Sequence, residues 1–407
     1  KKIMIQQIIH RFLKRRHFWR YATFGEVAEL YASRMMTMFA FRFVMAFGSV
    51  YLYKLGYSVA EIALFWALYY GIKTVAVPVA AVVVAQIGPK HGLFIANLLF
   101  AAGLACLMAA PIFGVSVIIL WCFIQGGAGT LNNLCYMIDF SKVKHNNHAG
   151  KEIGFMNIVE KIAAGTSPLV GGVVASLFGP TWAFALSISL FILSAIPLFR
   201  TAEPVKTHQK ISLRGFPWKK TWRSLRANSS LGVDIVASGV AWNLFISVAI
   251  FASDGDELYA KIGAFTSISM VVALATSYVF GRLVDRRQGL LLLRSTVVVN
   301  SLLHLLRPTV STPSGIILTN AVNEAAYTGY SLAFTRGEFD LADTPGYRIV
   351  YLSLMEIAGN AGATIATLAL ALFATMYGSI SGLTVFYVFA AFVTLLIAAP
   401  RFPLYKR

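Results

Sequence analysis

The chain has 407 residues, of which 35 are Lys or Arg and 17 Asp or Glu, giving a net charge of +18 at pH 7. It is 57% hydrophobic and only 13% charged, with a mean hydropathy of +0.69, whereas a soluble globular protein carries about a quarter charged residues. A single large soluble core is excluded because apolar runs of roughly 18 residues or more recur, each able to cross about 30 Å of hydrocarbon. Nucleic acid is excluded as a partner because the Lys and Arg residues sit in short loops between those runs.

Residues 1–29 read as a basic cytosolic arm. Ile5, Ile8, Ile9, Phe12 and Trp19 can rest in a headgroup layer while Arg11, Lys14, Arg15 and Arg16 meet anionic lipid. Charge interrupts every apolar stretch here, so no cleavable signal is expected. Six apolar segments follow at 30–54, 59–86, 92–111, 113–137, 152–178 and 180–199, forming a first half over 30–200. A polar, basic stretch, 201–228, reads as a cytosolic linker. Six more segments, 229–251, 261–284, 289–306, 313–335, 347–376 and 380–400, form a second half over 229–400, before a short cytosolic tail, 401–407. Arg294 interrupts the segment 289–306. The fold class expected is an all-α membrane protein of about twelve transmembrane helices in two pseudo-symmetric six-helix halves.

Loop charge orients the chain, because Lys and Arg are retained on the cytosolic side. Basic residues cluster in alternate loops: the arm, Lys90, Lys142 with Lys144 and Lys151, the linker, Arg282 with Arg286 and Arg287, Arg336 with Arg348, and the tail. The other loops hold little, among them Lys54 and Arg307. Both termini are therefore expected in the cytosol, with the protein in a cell inner membrane. Short loops favour a prokaryotic source. The halves also resemble each other: GFMNIVEKIAAG lines up with VYLSLMEIAGNAG, placing Glu160 opposite Glu356, and Gly92 pairs with Gly289 at nearly the same offset.

This arrangement resembles the major facilitator superfamily over roughly residues 30–400. GRLVDRRQG, Gly281 to Gly289, is similar to that family's Gly-x-x-x-Asp-Arg loop, and the resemblance implies that Gly281, Asp285 and Arg286 act as a conformational latch. The corresponding loop after the second helix departs from the pattern, with Ala85 where Asp is expected. GTSPLVGG, Gly165 to Gly172, resembles the Gly-Pro-x-x-Gly-Gly motif of the family's antiporters, with Ser167 replacing its first Gly, and leans toward export. Pro168 is expected to kink the fifth helix, and Gly171 and Gly172 to permit close contact between the halves.

A charge at mid-bilayer is costly, at about 2.5–3.5 kcal/mol on translocon scales, and needs a partner, water or a function. Arg42 and Lys73 lie near the middle of the first and second helices. Trp66, Tyr69, Tyr70 and Lys73 share a helical face, and Gln125, Asn132 and Asp139 form a stripe on the fourth helix. Asn320, Asn323, Glu324 and Tyr327 share a face of the tenth helix, Glu356 and Asn360 stand one turn apart, and Trp242 with Asn243 mark the seventh. Together these are the candidate solute-binding residues, with Glu324 and Glu356 as proton carriers and Glu160 as a further latch residue. The competing reading is a permanent ion-pair network, in which Arg42 or Lys73 neutralises Glu324 or Glu356 and adjacent Lys161 compensates Glu160.

No Walker loop, His-Glu-x-x-His or Gly-x-Ser-x-Gly pattern is present, so an enzyme is not expected. Nor is a cofactor or a metal: His304 reads as a packed polar group, and Cys106, Cys122 and Cys135 lie in apolar segments without ligand spacing. The reading is a monomeric secondary transporter that works by alternating access on a small solute, with an anionic group on the solute and protons as the coupling ion as further expectations. The alternative is a non-transporting membrane scaffold or receptor of the same fold.

Overall fold

The computed structural model describes residues 24–143, 149–199, 211–252, 255–284, 288–342, 347–400 and 402–405. The first half contains α1 (Phe24–Met45, resuming at Gly48–Lys54), α2 (Val59–Ile87), α3 (Pro89–Met108), α4 (Val115–Val143), α5 (Ala149–Phe178) and α6 (Pro180–Ala195). The second contains α7 (Trp218–Ile235, continuing in π and α turns to Ile250), α8 (Glu257–Leu283), α9 (Gly289–Leu306), α10 (Pro313–Ala342), α11 (Arg348–Tyr377) and α12 (Ser379–Thr394). No strand occurs among the described residues.

Among the described residues, ten helices are long and apolar enough to cross a membrane. The segment interrupted by Arg294 is among them, within Gly289–Thr309. Of the other two, α5 has its described apolar stretch at Gly165–Phe178, and α10 is interrupted by Asn320, Asn323, Glu324, Arg336, Glu338 and Asp340. The seventh helix begins at Trp218, inside the stretch read as linker, so that linker's last turns are helical. The arm through residue 23, most of the remaining linker, Asp285 and Arg286 lie outside the described residues.

Local chemistry sets several helix ends. Ser58 and Glu61 form a reciprocal capping box that opens α2. Gly179 and Gly378, with φ of 91° and 82°, turn the chain sharply into α6 and α12 at equivalent points of the two halves.

The packing repeats. Within the first half α1 lies on α5 and α6, α2 on α4, and α3 on α4 and α6; within the second α7 lies on α11 and α12, α8 on α10, and α9 on α10 and α12. The halves meet chiefly where α5 packs on α8 and α2 on α11, contacts that the same pseudo-symmetry interchanges. Apolar surface gives little drive for helix association in lipid, so close backbone approach through small residues carries these seams. A Cβ added at Gly172 would overlap the Tyr259 carbonyl of α8, and one added at Gly263 the Pro168 carbonyl of α5. Gly171 turns elsewhere, against Phe43 of α1 in its own half, because successive residues on a helix face different ways. The expectation that both glycines serve the seam holds for Gly172 alone.

Candidate solute cavity

A cavity of about 390 Å³ lies between the halves. It is lined by the linker-proximal parts of α2, α4, α7, α10 and α11, with Phe41 of α1 at its inner end. Its polar groups are Tyr69, Tyr70, Lys73, Asn133, Asn228, Tyr327, Glu338, Glu356 and Asn360, among others.

At its centre a cation of one half faces a carboxylate of the other. Lys73 Nζ lies 3.5 Å from Glu356 Oε1, with both side chains largely buried. Asn133 donates to Glu356 Oε2 at 2.6 Å and Asn360 to Oε1 at 2.8 Å. Lys73 also stands 5.9 Å from the ring centroids of both Tyr69 and Tyr70, within cation–π range. Arg42, exposed in the last turn of the long segment of α1, lies within electrostatic reach of Tyr70 and Tyr327. Its guanidinium has no hydrogen bond or ion pair among the described residues.

The structure sorts the other candidate residues. Trp66 is buried against Tyr69, Tyr70 and Trp121 and donates to Ser49 at 3.0 Å. Gln125 packs on Gly103 of α3, and Asn132 accepts from Arg34 at 2.9 Å. The cavity-facing residue of α4 is Asn133, one position from the expected stripe. Trp242 donates to Asn320 at 2.6 Å, and Asn243 crosses between the halves to the Ala46 carbonyl at 2.8 Å. Asn323 joins a network inside the second half. Glu324 lies within electrostatic reach of Tyr327 and Tyr330. Glu160 pairs with Arg34 of α1 at 2.8 Å, while the side chain of Lys161, its expected partner, lies outside the described residues. Gly281 is buried near the end of α8.

Two features escaped the sequence reading. Glu338, two turns beyond Ser331 on α10, is 7% exposed, lines the cavity and has no hydrogen-bond or ion-pair partner among the described residues. It falls beyond the apolar segment 313–335, between the charges Arg336 and Asp340, which make it look like a loop charge at a helix end. The second is a buried network in the second half. Asp234 of α7 accepts from Asn300 at 2.7 Å and from Tyr330, and lies 2.7 Å from His304 Nε2. Arg307, read from sequence as a loop charge, is fully buried beneath α7, donating to the Ala237 carbonyl at 2.9 Å and to Asn323 at 2.7 Å. Lys90, also read as a loop charge, is buried too.

At the end of the molecule away from the linker, Lys54 of α1 pairs with Asp256 at 2.9 Å, donates to the Gly255 carbonyl and lies over the Tyr259 ring at 4.6 Å. These contacts tie the halves together there, while the cavity lies toward the linker.

The model of the Major Facilitator Superfamily matches residues 30–335. No curated protein sequence matches the chain. Among solved structures, that of the human organic anion transporter MFSD10 (TETRAN) is similar with a TM-score of 0.68 at 10% identity, covering 91% of this chain and 99% of the other. That of the nucleoside transporter NupG is similar with a TM-score of 0.67 at 15% identity, covering 91% and 97%. A helical chain folded as two repeated halves around a central cavity, matched by the family's model over most of its length, belongs to the Major Facilitator Superfamily and is a transporter rather than an enzyme.

Proposed function

We propose that this transporter moves a small solute bearing an anionic group, coupled to protons, by alternating access through the cavity between its halves. The observation that carries the reading is the Lys73–Glu356 pair, which bridges the halves inside a cavity of about 390 Å³. Charges at such depth are costly unless they serve a partner or a function. Arg42, within electrostatic reach of the cavity residues Tyr70 and Tyr327, supplies an uncommitted guanidinium, and guanidinium and ammonium groups bind carboxylate or phosphate through charge-assisted bonds.

The mechanism follows from exchange of partners. A solute anion that takes Lys73 displaces Glu356. The freed carboxylate, buried between the halves and without its cation, is relieved by a proton. Solute and proton thus neutralise the same cavity jointly; Glu324 and Glu338, the second of which lines the cavity, are the further proton carriers in this reading. Gly165 to Gly172, whose Gly172 sits in the α5–α8 seam, supports export as the direction. The basic linker face is the cytosolic one in this reading, in a cell inner membrane, and the working unit is a monomer.

Proteoliposomes with an imposed pH gradient and a panel of organic anions, cations and neutral solutes test this. Gradient-driven movement of at least one organic anion is expected. Glu356→Gln should lose the dependence on the gradient yet keep solute exchange. Arg42→Ala should weaken half-saturation about tenfold, equivalent to about 1.4 kcal/mol. If both variants keep fully coupled transport and differ only in thermal stability, the charges are a structural network and the proposal fails.

A further inference from the structure

Three arginines meet at a place that transport does not use. Arg223 and Arg226 on the first turns of α7 and Arg294 near the start of α9 line a cavity of about 300 Å³, floored by Ala398 and Ala399 where α12 ends. The 3-10 turn Leu395–Ala398 packs against both α7 and α9, so the site is a cleft between three helix ends on the linker side. All three arginine side chains are exposed. None of the three guanidinium groups has a hydrogen bond or ion pair among the described residues.

The surroundings are those of a lipid-facing surface. Leu291, Val298 and Leu302, on the same stripe of α9 as Arg294, are 72%, 48% and 55% exposed. An unpaired charge on such a stripe is expensive in hydrocarbon unless its side chain reaches the headgroup layer. Arg294 lies five residues inside α9, about 7–8 Å from its start at about 1.5 Å per residue, within reach of that layer. Trp218 and Trp222, exposed beside Arg223, have the amphipathic character of residues that settle at the membrane interface.

We propose that Arg223, Arg226 and Arg294 form a binding site for the headgroup of an anionic phospholipid, with the phosphate held by the guanidinium forks and the acyl chains lying along the exposed stripe of α9. The planar fork of Arg matches phosphate oxygens in pairs, and basic clefts between membrane helices on the cytosolic face suit anionic headgroups. A free phosphate shares the headgroup chemistry but gains nothing from the apolar stripe below it.

Native mass spectrometry of the full chain in detergent tests the site, with phosphatidylglycerol, phosphatidylcholine and inorganic phosphate as separate probes. The wild type should retain phosphatidylglycerol at least tenfold more tightly than phosphatidylcholine, and inorganic phosphate should not displace it at equal concentration. Arg294→Leu replaces a lone charge on a lipid-facing stripe, so it should fold as well as wild type while weakening phosphatidylglycerol about tenfold. Arg226→Gln, outside the apolar stripe, should act in the same direction and covers the case in which the first variant is poorly folded. Equal retention by wild type and both variants overturns the site. Equal retention of the two lipids, or displacement by inorganic phosphate, overturns the assignment to an anionic phospholipid.

Discussion

Asp234, His304 and Arg307 show what a buried charge demands of its neighbours. Arg307 has only donors, so the Nη1–Nδ1 contact of 3.1 Å makes His304 Nδ1 an acceptor. The imidazole proton then sits on Nε2 and points at Asp234. Asp234 and Arg307 balance each other through this neutral ring, with further bonds from Asn300 and Tyr330 to Asp234 and from Arg307 to Ser238 and Asn323. Asp234→Ala is expected to leave Arg307 buried without its counter-charge, at a cost of about 3–5 kcal/mol. Adding Arg307→Met should recover a large part, since a buried pair replaced by apolar groups is often near neutral. Thermal unfolding in detergent measures both. An unchanged melting temperature for Asp234→Ala would mean that the network holds nothing.

At the level of helices, the α5–α8 seam depends on missing side chains. Gly172 and Gly263 face backbone rather than flexible side-chain ends, so a substitution there cannot be absorbed by a rotamer change. Gly172→Val should drive the halves apart, costing at least the 1–3 kcal/mol typical of overpacking and lowering transport. Gly127 of α4 has open space where its Cβ would lie. Gly127→Ala should therefore be neutral or gain up to about 1 kcal/mol from helix propensity. Melting temperatures of the two variants side by side decide whether the seam is close-packed, and equal values would show that it is not. α7 is the other distinctive element. It passes through π turns at Val236–Ala241 and Ile246–Ile250, and Arg307 bonds the first of these at Ala237 and Ser238.

For the whole molecule, the two ends of the half-to-half interface differ. Lys54 and Asp256 tie the end away from the linker, and the cavity lies toward the linker. Asp256 is largely exposed, so the pair is worth at most about 1 kcal/mol, a shift of up to about fivefold between conformations. Lys54→Ala should raise the population open at that end by this factor. With the three native cysteines replaced by alanine, a cysteine at buried Ser247, near the end of α7, should then label up to about fivefold faster. Unaltered labelling would show that the tie does not set the balance between states.

The residues alone determined the membrane class, the repeat and the family resemblance, because each rests on composition and periodicity along the chain. Apolar run length carries the spans, alternating loop charge carries the expected orientation, and the recurrence of Glu160 at Glu356 carries the duplication. Part of the cavity was legible for the same reason: Lys73, Tyr69, Tyr70, Tyr327, Glu356 and Asn360 are polar residues at helical spacing in apolar segments, and all six line it. What the spacing could not decide is which way a polar residue turns once twelve helices pack. Asn132 and Asn133 are adjacent, yet one meets Arg34 and the other Glu356. Asp234, His304 and Arg307 become one network only because α7 and α9 lie side by side, and Arg223 meets Arg294 only where three helix ends converge. Helix rotation and long-range packing settle those choices, since the energies that govern them arise between segments distant in the chain.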